Sequence, residues 1–193
     1  MKNFDTQIII ELNRLIGNNQ NFDKVLGILA SDYLIPAVMA LSLVAFWFSG
    51  HSSSDRFPRQ WSILSAVLAL GLANLIVLLS NDLYFRPRPF IENELTLILY
   101  MPTDSSFPAN PAVLSFALAS SLWRNHKRIS LTLMITASVW CFSRVVGGVF
   151  YISDVLAGAI IGMAIALLAM YILRWLEPIP SLLIRTARLL HLA

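Results

Sequence analysis

The residues best suited to chemistry in this sequence are arginines and aspartates set in two short segments. One reads Asp82-Leu-Tyr-Phe-Arg86-Pro-Arg88-Pro-Phe90, passes Glu92 and Glu94, and ends in Asp104-Ser-Ser-Phe-Pro108. The other opens with Ser143-Arg144 and closes with Ser153-Asp154. Arginine recognises phosphate through a planar fork of donors, and alternation with proline stiffens the turn that carries Arg86 and Arg88. Arg144 follows a long apolar run, where an ionisable residue is a functional candidate because burying it without a partner is costly. Two uses of these arginines stay open at this level: a shared anion site, or simple pairing with Asp104, Asp154 or lipid headgroups. Asp154 has a structural use as well, since a carboxylate at a helix start caps the helix and opposes its dipole.

The elements that must position these residues are membrane helices. Hydrophobic residues make up 57% of the 193 and charged residues only 13%, against roughly 25% charged in a soluble domain. Mean hydropathy is +0.69 and the pI is near 9.3. This composition excludes disorder and points to lipid as the main solvent. The positive charge then reads as loop charge rather than as a nucleic-acid surface. The single cysteine, Cys141, excludes an internal disulfide framework and a cysteine-built zinc site. A helix needs about 20 apolar residues to cross the hydrocarbon core, and the charge-free runs predict spans at 33–50, 61–81, 108–123, 129–149 and 154–174.

Residues 1–30 read as an amphipathic interfacial segment, with Ile8, Ile9, Leu12, Leu15 and Ile16 at helical spacing and Glu11, Asn13 and Arg14 interrupting them. Residues 22–30 form a second short helix or extend the first span. The bundle proper is expected over 31–176, and 177–193 as a basic amphipathic tail. No basic start leads into a clean apolar core, so no signal peptide is expected. Eight basic residues (Arg56, Arg59, Arg124, Lys127, Arg128, Arg174, Arg185, Arg188) fall on one side of these spans. That excess predicts the cytoplasmic side, with 82–107 and 144–154 facing away from it. Gly158 and Gly162 suit close helix approach, within the bundle or between chains. The five tryptophans (Trp47, Trp61, Trp123, Trp140, Trp175) fall mostly near span ends, as in an interfacial belt.

At the chemistry-bearing residues the sequence resembles the type 2 phosphatidic acid phosphatase superfamily, which also includes vanadium haloperoxidases. The nearest branch is the bacitracin-resistance type of bacterial undecaprenyl-diphosphate phosphatase. The resemblance rests on Tyr84-Phe-Arg-Pro-Arg-Pro-Phe90, Asp104-Ser-Ser-Phe-Pro108, Ser143-Arg144 and Tyr151-Ile-Ser-Asp-Val-Leu-Ala-Gly158. It implies an all-α polytopic bundle of five to six long helices with that phosphatase fold, in a bacterial inner membrane, and the site on the non-cytoplasmic face. It also implies phosphate-binding roles for Arg88 and Arg144.

Three positions depart from the family's motifs. The lysine that precedes Arg-Pro in the first motif is Asn81. The histidine of the second motif, the family's acid for the leaving group, is Pro111. The histidine of the third motif, the family's nucleophile, is Phe150, although Ser143, Arg144 and Asp154 keep their places. Phosphoryl transfer by this route needs a nucleophile and an acid, and phenylalanine and proline supply neither. His51, His126 and His191 are expected across the membrane from the site. The expectation is therefore a catalytically silent member, needing no metal or cofactor. It would serve as an accessory or structural subunit of a membrane complex or as a non-hydrolytic binder of polyprenyl or glycerolipid phosphate. The alternative is an active lipid phosphatase using another nucleophile, with Asp154 the conceivable one.

Overall fold

The computed structural model describes residues 4–50 and 52–190. The chain is all-helical: α1 (Phe4–Asn13), α2 (Gln20–Ala30), α3 (Leu34–Phe48), α4 (Ser53–Leu83), α5 (Pro89–Glu92), α6 (Asn110–Ser121), α7 (Lys127–Val146), α8 (Ile152–Trp175) and α9 (Ile179–Leu189). Asp55–Leu83, Lys127–Val146 and Ile152–Trp175 are each long and apolar enough to cross a membrane. α2 and α3 meet that test only together, as a pair bent by 47°. Of the two readings of residues 22–30, the structure gives the separate helix, α2, set at an angle to α3. The break falls at Ser31-Asp32-Tyr33, which places Asp32 at the elbow.

The expected span 108–123 is shorter than a crossing helix. Its 12 helical residues begin after Pro108, with Pro111 in the first turn, where proline's missing N–H costs nothing. At 1.5 Å per residue α6 covers about 18 Å, against about 30 Å of hydrocarbon. It is the central helix, enclosed by α4, α7 and α8, and most of its residues are buried.

Small residues let the backbones approach. Ala66, Ala69 and Ala73 of α4 and Ala112, Ala117 and Ala119 of α6 are fully buried. A methyl group placed on Gly162 would stand 2.4 Å from the Val113 carbonyl oxygen, and one on Gly158 2.9 Å from that of Ala109. The glycine pair of α8 is therefore an internal seam against α6. In lipid, where apolar burial gives helices little reason to associate, such close packing and hydrogen bonding hold a bundle together.

α7 ends in a Schellman motif. Gly148 has φ +76°, its N–H donates to Val145, and the Val149 N–H donates to the Arg144 carbonyl at 3.0 Å. A glycine is needed there, because other residues rarely adopt that conformation. The turn delivers Val149 and Phe150 into the core immediately after Arg144.

Both ends of the chain dock on the bundle. Asn13, read from the sequence as an interruption of an apolar face, is 5% exposed. Its amide donates to the Thr96 and Val146 carbonyls, both at 3.0 Å, and accepts from the Thr96 N–H. α1 is therefore a cap tied to the end of α7. In α9, Ile184 is fully buried and Arg188 donates to Gln60 of α4 at 2.8 Å.

Candidate functional site

The two segments singled out in the sequence meet at one end of the bundle. Ser106 N–H donates to the Arg86 carbonyl at 2.9 Å, and Arg86 N–H to the Ser105 hydroxyl at 3.0 Å. Ala109 N–H donates to the Asp154 carbonyl at 3.2 Å. These bonds lock the Arg-Pro-Arg-Pro turn to the start of α6 and the start of α8.

A cavity of about 150 Å³ lies here, lined among others by Arg88, Arg144, Pro111, Phe150, Asp32 and Asp104. The structure therefore brings Arg88 and Arg144 together with Pro111 and Phe150, two of the positions at which the sequence is read as departing from the motifs it resembles. Neither Asn81, in the last turn of α4, nor Asp154 lines this cavity. Asp154 borders a separate cleft with Tyr84, Arg86 and Ser153.

Each arginine is partly engaged from within the protein, Arg88 through all three of its nitrogens and Arg144 through Nε and Nη2. Arg88 is 2% exposed. Its Nη2 donates to Asp104 Oδ1 at 2.8 Å, its Nε to the Asp104 carbonyl at 3.0 Å and its Nη1 to the Val149 carbonyl at 3.2 Å. Its guanidinium carbon lies 4.2 Å from the centre of the Phe150 ring. Burial pulls the Arg88 pKa below its ordinary value, against the opposing pull of Asp104; arginine stays charged regardless. Asp104 in turn accepts from Asn110 at 2.9 Å.

Arg144 donates through Nε to the Ala30 carbonyl at 3.0 Å and through Nη2 to Asp32, and it lies over the Trp140 ring. Trp140 is 7% exposed and donates to the Ser31 carbonyl at 3.0 Å. It is a wall of the cavity, not a member of an interfacial belt. Asp32 also accepts from the Tyr100 hydroxyl at 2.8 Å, and that bond holds the Tyr100 pKa above its ordinary value. The cavity thus carries two guanidinium groups and two carboxylates, a balanced set.

A second cluster adjoins it. Arg86 donates to Asp154, to Ser153 at 3.0 Å and to Asp5 of α1 at 3.1 Å, and its guanidinium lies 4.2 Å from the Tyr151 ring centre. Burial works to lower the Arg86 pKa, but Asp154 and Asp5 outweigh it and the net direction is upward. Asp154 is fully buried and also accepts from Ser106 at 2.6 Å. The simple pairing anticipated for Arg88 holds with Asp104, whereas Arg144 pairs with Asp32 and Asp154 with Arg86.

Asp32 and Tyr100 were not legible as parts of a site, and Arg86 was legible as a charged turn residue but not as the partner of Asp154 and Asp5. The one signal for Asp32 was its place directly before the charge-free run that starts at Tyr33. His126 lies at the opposite end, before α7, edge-on to Phe46; His51 and His191 lie outside the described residues. Among the described residues no three His, Cys, Asp or Glu side chains gather as metal ligands.

Fold and site together define a polytopic helical membrane protein with an arginine-bearing cavity at one end. The PAP2 superfamily matches residues 62–178, and the chain belongs to it. It is 27% identical over 180 residues to undecaprenyl-diphosphatase BcrC of Bacillus subtilis, covering 93% of this chain and 89% of that one. It is 29% identical over 131 residues to the bacitracin transport permease protein BcrC of Bacillus licheniformis, covering 67% and 62%. Among solved structures it is similar to Aquifex aeolicus LpxE, with a TM-score of 0.66 at 25% identity over 84% of this chain and 94% of that one. With these bacterial relatives and its apolar helices, the chain is an integral membrane protein.

Proposed function

We propose that this protein is a catalytically silent PAP2-fold membrane protein whose arginines act as staples between helices, and that it serves as a structural or accessory subunit in a bacterial inner membrane. The observation that carries this reading is the occupancy of the arginine forks. Arg88 is held by Asp104, two carbonyl groups and the Phe150 ring, and Arg144 by Asp32, Ala30 and the Trp140 ring. A phosphate bridging the two arginine forks would compete with Asp104 for Arg88 and with Asp32 for Arg144. Phe150 and Pro111 stand where the family has its nucleophile and its acid, and general acid–base catalysis alone is worth about 10²–10⁴-fold.

Pairing also argues against a borrowed nucleophile. Asp154 is fully buried, and its two carboxylate oxygens are taken by Arg86 and Ser106. The second reading, an active lipid phosphatase, has support from the name of the Bacillus subtilis relative, an undecaprenyl-diphosphatase. The two readings separate in one assay. Purified protein is given undecaprenyl diphosphate and phosphatidic acid, and phosphate release is measured. No release above a no-protein control is expected. Turnover that Asp154→Asn or Arg144→Ala abolishes would establish the phosphatase reading instead.

A non-hydrolytic role in binding lipid phosphate is the remaining form of the silent reading. It predicts that Arg88→Ala with Arg144→Ala weakens lipid diphosphate binding while the fold survives. The stapled reading predicts weak binding in the parent and a loss of stability in the variant.

A further inference from the structure

We propose that the end of the bundle opposite the arginine cavity carries a binding groove for one anionic phospholipid. The inference does not depend on whether the arginine cavity is silent. α6 packs closely on both α7 and α8, but α7 and α8 barely touch each other. The space between them is an open groove of about 660 Å³, floored by α6, within the usual size of a small-molecule site, about 300–1,000 Å³.

Its lining changes character along its length. Arg124 and Lys127 stand at the mouth beside Trp123, and the walls deeper in are methionine and leucine from α7 and α8. Neither Arg124 nor Lys127 has a carboxylate partner among the described residues. Ser120, one turn deeper than Trp123, is 7% exposed, and its buried hydroxyl has no hydrogen-bond partner. Buried hydroxyls are normally paired, so this one is an unused donor on a residue that lines the groove. Two cations outermost and an apolar slot below match a phosphate headgroup and an acyl chain in that order. Basic pockets between membrane helices bind anionic headgroups by the same charge complementarity.

The depth selects a lipid over a helix. The groove runs from Lys127 to Met134 on α7 and from Met170 to Met163 on α8, about two helical turns or roughly 10 Å. That lies within one leaflet, whose hydrocarbon is about 15 Å deep, half of the full core. A partner membrane helix, crossing about 30 Å of hydrocarbon, would need a stripe about three times as long.

The test uses the delipidated full chain in detergent and compares phosphatidylglycerol with phosphatidylcholine of the same acyl chains by native mass spectrometry. One phosphatidylglycerol per chain is expected, bound more tightly than phosphatidylcholine. Arg124→Gln with Lys127→Gln should weaken phosphatidylglycerol about 25-fold, each basic residue near an anionic lipid being worth roughly fivefold. Phosphatidylcholine binding and the unfolding temperature should not move. Leu167→Trp, which fills the slot without touching the charges, should weaken both lipids. Equal binding of the two lipids, or phosphatidylglycerol binding that survives both variants, overturns the proposal. So does a co-purifying membrane polypeptide that Leu167→Trp releases, which would make the groove a helix-docking site.

Discussion

The two ends of this bundle are both rich in basic residues, yet they treat charge in opposite ways. At one end Arg86, Arg88 and Arg144 each hold a carboxylate and each face an aromatic ring, Arg88 and Arg144 around a cavity of about 150 Å³ and Arg86 in the cleft beside it. At the other, Arg124 and Lys127 border an open groove of about 660 Å³ and have no carboxylate among the described residues. Their neighbours there donate to neutral groups, Arg59 to Ser49 and Arg188 to Gln60. The number of arginines at a membrane protein's end therefore says little about its appetite for anions. What decides is whether the protein has already spent their hydrogen-bonding forks on itself. A buried pair is costly to break, because the partner left behind is a buried charge, whereas a free cation at an interface gives up only water and counterions.

This contrast can be broken by substitution. Phe150→Ala should have the largest effect. Phe150 is 1% exposed, packs with Ala109, Ala112, Cys141 and Val149, and underlies Arg88. A loss of about 4 kcal/mol is expected, as for other buried phenylalanines, measured by unfolding in detergent. A loss below about 1 kcal/mol would mean that the cavity end is not the stapled end. Asp104→Ala comes next, at about 3 kcal/mol. It leaves Arg88 charged and buried, though the backbone carbonyls of residue 104 and Val149 still accept from it.

Tyr100→Phe should cost up to about 1 kcal/mol through the lost bond to Asp32, and its pH dependence has a definite sign. The folded-state pKa of Tyr100 is raised, first by that bond and then by burial, so the folded state holds the proton more tightly than the unfolded chain. The contribution is fully present below the unfolded value of about 10 and is lost as pH rises through the folded value. Parent and Tyr100→Phe stabilities should therefore converge in that alkaline window and differ by a constant amount below it. The smallest effect belongs to the open end. Without added lipid, Arg124→Gln with Lys127→Gln should change stability by no more than about 0.5 kcal/mol, as for surface positions. A loss comparable to that of Asp104→Ala would erase the contrast between the ends.

Much of the fold was legible because lipid imposes a simple rule. Long charge-free runs had to become helices that satisfy their own backbone, and 61–81, 129–149 and 154–174 lie almost entirely within α4, α7 and α8. The shortness of α6 and the elbow at Asp32 were not legible, because a helix wrapped by other helices need not match the thickness of the bilayer. Arg88, Arg144, Phe150 and Pro111 were named from motif spacing and do share a cavity. Their partners were harder to see. Asp32 reaches Arg144 across 112 positions, and Asp5 reaches Arg86 across 81.

By itself, then, the sequence determined that this is a lipid-embedded helical protein of the PAP2 type. Composition, apolar run length and short-range spacing are local properties and can be read along the chain. Only the tertiary structure decided that the arginines are already bound and that the glycine pair is an internal seam. It also decided that Trp140 lines a cavity and that two cations without a carboxylate partner among the described residues frame a groove. Each of those facts depends on which groups fold to within hydrogen-bonding or contact distance, and no local pattern carries that information.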